Sequence, residues 1–319
     1  MKKIVLISTY FGSFPNYFNL WLKSAGSNES IDFLIFSDCE HSKYTPLPHN
    51  VKIVKTDFEA LRKRIQGCYD FKLALNAPYK LCDFRPAFGE IFNAEVRGYD
   101  YWGNCDLDMI FGNIEKYIPQ GDYDKIYYAG HLTLYKNTPK INSVYKSKYG
   151  MNYKDVFTTS INKVFDEYDG IEQKFQHAGL KTYTVRHYAD ITKRRHRFTL
   201  SDMYLSAKER KTNNFDYQVF YYENGGVYRD YIEDNQIKTQ EFNYIHFSSR
   251  KMPDNTKGAN SFYITNTGFY PKQGAATREI IAKYNPPTPL KDKAVAAKRK
   301  KEDAVRKFNK IIQKGKETR

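Results

Sequence analysis

The sequence predicts an α/β protein whose first part is a sheet with crossover helices. Three observations carry this reading. Short β-branched and aromatic runs alternate with helix-period segments from the N-terminus to about residue 121. Two aspartates lie near the end of the last of these runs, in "YDYWGNCDLDMIFGNI" (99–114). After Gly121 the alternation gives way to paired short strands with turn signals.

"KKIVLIST" and "IDFLIFSD" are apolar runs bounded by polar turn residues and read as strands, the first over Lys3 to Thr9. Between them "FPNYFNLWLKSAG" has apolar residues at helical spacing and stops at Gly26, which predicts a helix. "VKIVKTD" is a third strand and "DFEALRKRIQG" a short helix. "FRPAFGEIFNAEV" reads as a helix with Pro86 near its first turn. The stretch 99–112 is then one strand with its exit turn. Beyond Gly121, "YDKIYYAGHLTLYKN" holds one or two strands, and "INSVYKSK" through "INKVFDEYDGIEQKFQHAG" reads as helical. "KTYTVRHYADIT" is a strand with its exit, and Phe215 to Phe247 reads as paired strands with "ENGG" as a hairpin turn. "NPPTP" ends regular structure before an Ala- and Lys-rich, helical tail.

Composition narrows the function classes. At 319 residues the chain can bury one large core or two smaller ones. Aromatic residues make up 16 %, chiefly 28 Tyr and 22 Phe, which suits contacts with sugars or bases as well as ordinary packing. Cys39, Cys68, Cys82 and Cys105 form no CxxC pair, so zinc and dithiol readings gain no support. The apolar part of "MKKIVLISTYFG" is too short for a secretory signal, and no run approaches the roughly 20 apolar residues of a membrane span. A cytoplasmic protein with reduced thiols is the expectation. The net charge is +15, yet Thr288 to Arg319 holds twelve Lys or Arg against four Asp or Glu. More than half of the excess therefore belongs to a tail, which argues against a nucleic-acid-binding body.

Asp106 and Asp108 sit in an otherwise apolar run. In a strand they share a face while Leu107 takes the other. Two carboxylates so placed repel unless a cation intervenes. They form either a solvated strand tip or half of an oxygen-rich site for Mg²⁺ or Mn²⁺. The end of a strand in an open α/β sheet is where ligands bind.

"PYKLCDFRPAFGEIF", "YDYWGNCDLDMIFGNI", "AGHLTLYKNT", "FDEYDG" and "YIHFSSRKM", in this order, resemble a family of bacterial glycosyltransferases from capsule and O-antigen loci. The likeness covers about Met1 to Tyr270. It implies a GT-A type fold, with a Rossmann-like nucleotide-sugar part (1–121) and an acceptor and metal-completing part (122–287), while the basic tail (288–319) lies outside the likeness. It implies that Asp106 and Asp108 hold Mn²⁺ or Mg²⁺ on the diphosphate of a UDP-sugar, with His246 as a third ligand. Thr9, Tyr10, Phe11 and Gly12 would receive the nucleotide, and Asp38 the base or ribose. Lys80, Asp83 and Arg85 would face the donor, and Arg250 and Lys251 the leaving diphosphate. His131 is an acceptor-site candidate. Asp166 or Glu167 would be the base of an inverting transfer, and a retaining transfer would need none. The expected product is a hexosyl, galactofuranosyl or galactopyranosyl, unit on a lipid-linked or oligosaccharide acceptor of a surface polysaccharide. The basic tail, with Val295, Val305, Phe308, Ile311 and Ile312 roughly on one helical face, would lie on the anionic inner face of the membrane. Two other readings stay open: a metal-dependent nuclease or nucleotidyl hydrolase, and a non-catalytic glycan- or nucleic-acid-binding protein.

Overall fold

The computed structural model describes residues 2–194, 197–201, 205–247 and 251–286. The strands are β1 (Ile4–Tyr10), β2 (Ile31–Ser37), β3 (Val51–Lys55), β4 (Tyr101–Cys105), β5 (Met109–Phe111), β6 (Lys125–Ile126), β7 (Leu132–Lys136), β8 (Thr182–Tyr183), β9 (Ala189–Arg194), β10 (Arg197–Leu200), β11 (Gln218–Glu223), β12 (Gly226–Glu233), β13 (Gln236–Phe242), β14 (Tyr244–His246), β15 (Phe262–Thr265) and β16 (Gly268–Pro271). They form three sheets. A seven-stranded sheet runs β3-β2-β1-β4-β7-β6-β8, a four-stranded sheet runs β10-β9-β14-β5, and a five-stranded sheet runs β13-β12-β11-β15-β16. The protein is a mixed α/β fold, and its largest sheet draws strands from both sides of Gly121.

The large sheet is mostly parallel, with β7 reversed between β4 and β6. Its faces follow the period of two along β1. Ile4 and Leu6 pack with Phe18, Trp21 and Ala25 of α1 (Phe18–Gly26), whereas Val5 and Ile7 pack with Leu61 and Ile65 of α2 (Phe58–Gln66). The Asp57 side chain accepts from Ala60 N–H and caps α2. The chain thus covers one face, then the other. β1 pairs with β2 on one flank and β4 on the other, so the strand order reverses there.

Four expected elements differ. The helix over 84–96 is instead a 3₁₀ segment, Pro78–Ala87, followed by one α-turn at Phe88–Ile91. Pro86 lies inside the 3₁₀ segment, where its missing N–H and fixed φ oppose a regular α-helix. The strand over 99–112 is two strands in two different sheets, β4 and β5, with Asp106 to Asp108 between them. The helical reading of 141–179 gives only short pieces, among them Pro139–Asn142, Tyr153–Thr158 and Gln173–His177. "KTYTVRHYADIT" likewise holds two strands, β8 and β9. The "ENGG" hairpin is present between β11 and β12, with Asn224 and Gly225 both at positive φ, 50° and 78°. The tail expectations fall outside the described residues. No helix among the described residues is long and apolar enough to cross a membrane.

A buried ion pair fastens the irregular segment around residue 170 to the sheet. Lys125 Nζ on β6 donates to Glu172 Oε2 at 2.8 Å, and both side chains are fully buried. Removing one partner leaves the other charge stranded. Lys125→Met is expected to lower unfolding free energy by about 3–5 kcal/mol in urea titrations, with Lys125→Met/Glu172→Leu recovering most of it. Equal destabilisation by the single and double variants would show that the pair is not the fastening.

Candidate metal and substrate site

The site begins where β1 and β4 end. Ser8 Oγ donates to the Cys105 carbonyl at 2.6 Å and ties the two strand ends together. The chain then leaves the large sheet across Asp106, Leu107 and Asp108. Leu107 is buried, while the flanking aspartates are half-buried. Three bonds hold this bend: Asp106 N–H to His131 O at 3.0 Å, Trp21 Nε1–H to Asp106 O at 3.1 Å, and Phe247 N–H to Asp108 O at 3.1 Å.

Strand register supplies the third group. In the four-stranded sheet His246 on β14 lies opposite Met109 on β5 and beside Asp190 on β9. Its Nε2 is 3.5 Å from Asp108 Oδ1 and 3.9 Å from Asp106 Oδ2. Its Nδ1 donates to Asp190 Oδ1 at 2.8 Å. That bond fixes the ring and leaves Nε2 facing the two carboxylates. Burial disfavours the imidazolium, but hydrogen bonds to Asp108 and Asp190 overcome it and raise the His246 pKa to about 10. A proton on Nε2 thereby places positive charge between two carboxylates, where a metal ion would otherwise provide it.

The donor set fits a hard divalent ion. Asp106, Asp108 and His246 each offer one ligand atom, and these atoms lie within 4.8 Å of one another. Two carboxylate oxygens and one imidazole nitrogen suit Mn²⁺, or Mg²⁺ with added water or phosphate oxygens.

Arg85 connects this group to the far wall. One terminal nitrogen forms an ion pair with Asp106, and Nη1 donates to Asp166 Oδ2 and to Gly130 O, each at 2.8 Å. A Cβ on Gly130 would lie 2.7 Å from Asp166 Oδ2, so glycine makes room for the carboxylate. Burial raises the Asp166 carboxyl to about 7 against the pull of Arg85, and Glu167 adds to the rise. A cleft of about 750 Å³ opens here, bordered by Tyr79, Asp106, Asp108, Asp166, Glu167 and His246. A smaller hollow of about 90 Å³ continues from it to the end of β1.

The remaining candidates divide. Thr9, Tyr10 and Phe11 line the small hollow with Asp106 and Asp108. Gly12, at φ 97°, donates its N–H to Asp38 Oδ1 at 2.7 Å, so exposed Asp38 ties the loops after β1 and β2 together. His131 and Lys251 line the large cleft. The His131 ring stacks on His246 at 4.4 Å and accepts or donates at Nδ1 with the Tyr244 hydroxyl at 2.8 Å. Burial, with His246 and Arg85 nearby, holds its pKa well below 6.5, so it is neutral. Lys80 and Asp83 do not face the cleft. Both are buried and paired with each other at 2.6 Å, because the 3₁₀ segment turns them inward beneath residues 161–165. Arg250 lies outside the described residues.

Two participants escaped the sequence reading. Asp190 follows Ala189 in a run taken as a strand exit, and only the cross-strand register reveals it. Tyr79 is 66 % exposed and borders both hollows, an aromatic face open to a ligand. Cys82 also lines both, but burial pushes its thiol up to about 12, which keeps it protonated.

Fold and site together define an α/β protein with a carboxylate–imidazole centre at the carboxyl ends of a mostly parallel sheet. Residues 6–273 match the model of a family of unknown function, DUF6625, and the chain belongs to that family. No curated protein matches it.

Asp106→Asn and Asp108→Asn are each expected to abolish Mn²⁺ binding in calorimetry while the chain still folds, with thermal midpoints lowered because Arg85 loses one carboxylate partner in the first and the His246 ring loses one in the second. Asp190→Asn should weaken Mn²⁺ binding about 10–100-fold by releasing the His246 ring. Wild-type Mn²⁺ affinity in the Asp108 variant would remove the metal assignment.

Proposed function

We propose that this protein is a metal-dependent glycosyltransferase of GT-A type. It moves a hexose, with galactose in furanose or pyranose form preferred, from a UDP-sugar to a surface-polysaccharide intermediate. The observation that carries the reading is the Asp106–Asp108–His246 group at the reversal point of the large sheet, opening onto a cleft walled by Asp166. Nucleotides bind such reversal points in open α/β sheets. Donor and acceptor identity rest on the resemblance of the sequence motifs.

Each residue then has a role. Thr9, Tyr10 and Phe11 border the hollow that would take the nucleotide, and Asp38 steadies the adjoining loop. A divalent ion bound by Asp106, Asp108 and His246 would neutralise charge on the leaving diphosphate. Tyr79 offers an apolar face to a sugar ring. Asp166 takes the proton from the acceptor hydroxyl while that oxygen bonds to the anomeric carbon and the sugar–diphosphate bond breaks. A carboxyl with a pKa of about 7 suits that task near neutral pH. His131, held neutral beneath His246, supports the metal ligand and borders the acceptor side.

Calorimetry with UDP is expected to show binding that requires Mn²⁺. Asp166→Asn should then lower the transfer rate about 10²–10⁴-fold with UDP affinity retained. In the wild type the rate should fall as pH drops below about 7, since protonated Asp166 cannot accept the proton. Metal-independent UDP binding, or full transfer by the Asp166 variant, would contradict the assignment.

A further inference from the structure

Asp166 reaches the cleft from a segment with almost no regular structure. Residues 159–167 form bends and turns between the short helix Tyr153–Thr158 and the turn at Tyr168–Glu172. Its backbone is held by side chains from Pro78–Ala87. Asp83 Oδ2 accepts the Lys163 N–H at 2.8 Å and Oδ1 accepts the Phe165 N–H at 2.9 Å. Lys80 Nζ donates to Asp83 Oδ2 at 2.6 Å, to Val156 O at 2.9 Å and to Ile161 O at 2.7 Å. All three protons of the ammonium group are thus used, and both carboxylate oxygens are engaged.

The residue between the two bonded amides is Val164, and its φ is 56°. A β-branched residue in the left-handed region is strained, because its Cβ crowds the backbone carbonyl. Such a conformation persists only where the surroundings over-determine it. The bonds to Asp83 on both flanks do this, and Asn162 Oδ1 accepts the Val164 N–H at 2.8 Å between them. Two residues further on, Asp166 meets Arg85 and packs against Gly130.

We infer that the buried Lys80–Asp83 pair is a positioning clamp: it holds the left-handed turn at Val164 and so delivers the Asp166 carboxylate to Arg85 and the cleft. This rests on the reading of Asp166 as the acceptor base. Asp83 and Lys80 are positioning residues and touch no substrate. The pair holds a functional loop where a helix or strand would leave the backbone no freedom to turn.

The test uses the full chain and Asp83→Asn, which keeps the side-chain shape but replaces one acceptor oxygen with a donor. Hydrogen exchange should show amides 163 and 165 opening at least about tenfold faster than the loss of global stability alone accounts for, that loss being read from the β1 and β4 amides of the same variant. Transfer should fall at least about tenfold while KM for the UDP-sugar and Mn²⁺-dependent UDP affinity stay within about twofold. Adding Val164→Asn, a residue that tolerates the left-handed region, should return at least about threefold of the lost rate. Unchanged exchange at 163 and 165, an unchanged transfer rate, or UDP affinity lost in step with transfer would each overturn the clamp. If the wild type neither binds UDP nor transfers sugar, the glycosyltransferase reading fails, and the exchange result alone decides whether Asp83 holds the loop.

Discussion

The Arg85 guanidinium pairs with Asp106 on one side of the cleft and with Asp166 on the other, while also donating to Gly130 O. Those two aspartates belong to segments about sixty residues apart in sequence, and Arg85 joins them directly. A half-buried and a buried carboxylate facing one cleft would each favour protonation without a cation between them. A planar fork of donors can serve both at once, which a lysine ammonium would do with less directional control. The site nevertheless remains rich in negative charge. Asp106, Asp108, Asp166 and Asp190 outnumber Arg85 and His246, an excess that a divalent cation would offset in the proposed site.

The backbone creates that condition by changing sheets. β4 ends in the large sheet, and the next strand, β5, starts a second one with β14 and β9. The aspartates lie in the bend between, so they escape both ladders and turn their carboxylates toward the seam. His246 arrives at the end of β14, antiparallel to β5, and Asp190 near the start of β9, parallel to β14. One register therefore sets His246, the Asp190 carboxylate that orients its ring, and the distance of His246 from Asp108. A slip of one residue in β14 would turn His246 to the opposite face.

The aspartate pair was legible because a carboxylate in an apolar run violates local pattern, and the alternation of strands and helices before it was strong. β1, α1, β2, β3, α2 and the β11–β12 hairpin follow their patterns closely. The break after Cys105 was not legible, since "YWGNC" and "MIF" are both apolar and only long-range pairing assigns them to different sheets. Asp190 was hidden for the same reason. Lys80 and Asp83 misled in the opposite direction. Their charge suggests solvent or ligand, but in a 3₁₀ segment with Pro86 inside, they turn inward to satisfy backbone groups of a distant loop. Sequence shows that a charged residue needs a partner. It does not show whether that partner is a substrate or an unpaired peptide group.

Charge geometry also bears on the competing readings. A nuclease binds a continuous polyanion and needs a track of free cations leading to its metal ions. Here Arg85, beside Asp106, is engaged by two aspartates, and among the described residues Lys251 lines the cleft together with Asp166 and Glu167. An acidic wall repels a phosphate backbone but suits a neutral hydroxyl that must lose a proton. A buried carboxyl held near pH 7 beside Asp106 and Arg85 costs desolvation without adding contact area, which supports the catalytic reading proposed above over a purely binding one. The arrangement fits the proposed reaction, in which one substrate would be anionic at Asp106, Asp108 and His246 and the other uncharged at Asp166. That asymmetry favours group transfer to a hydroxyl over cleavage of a nucleic acid.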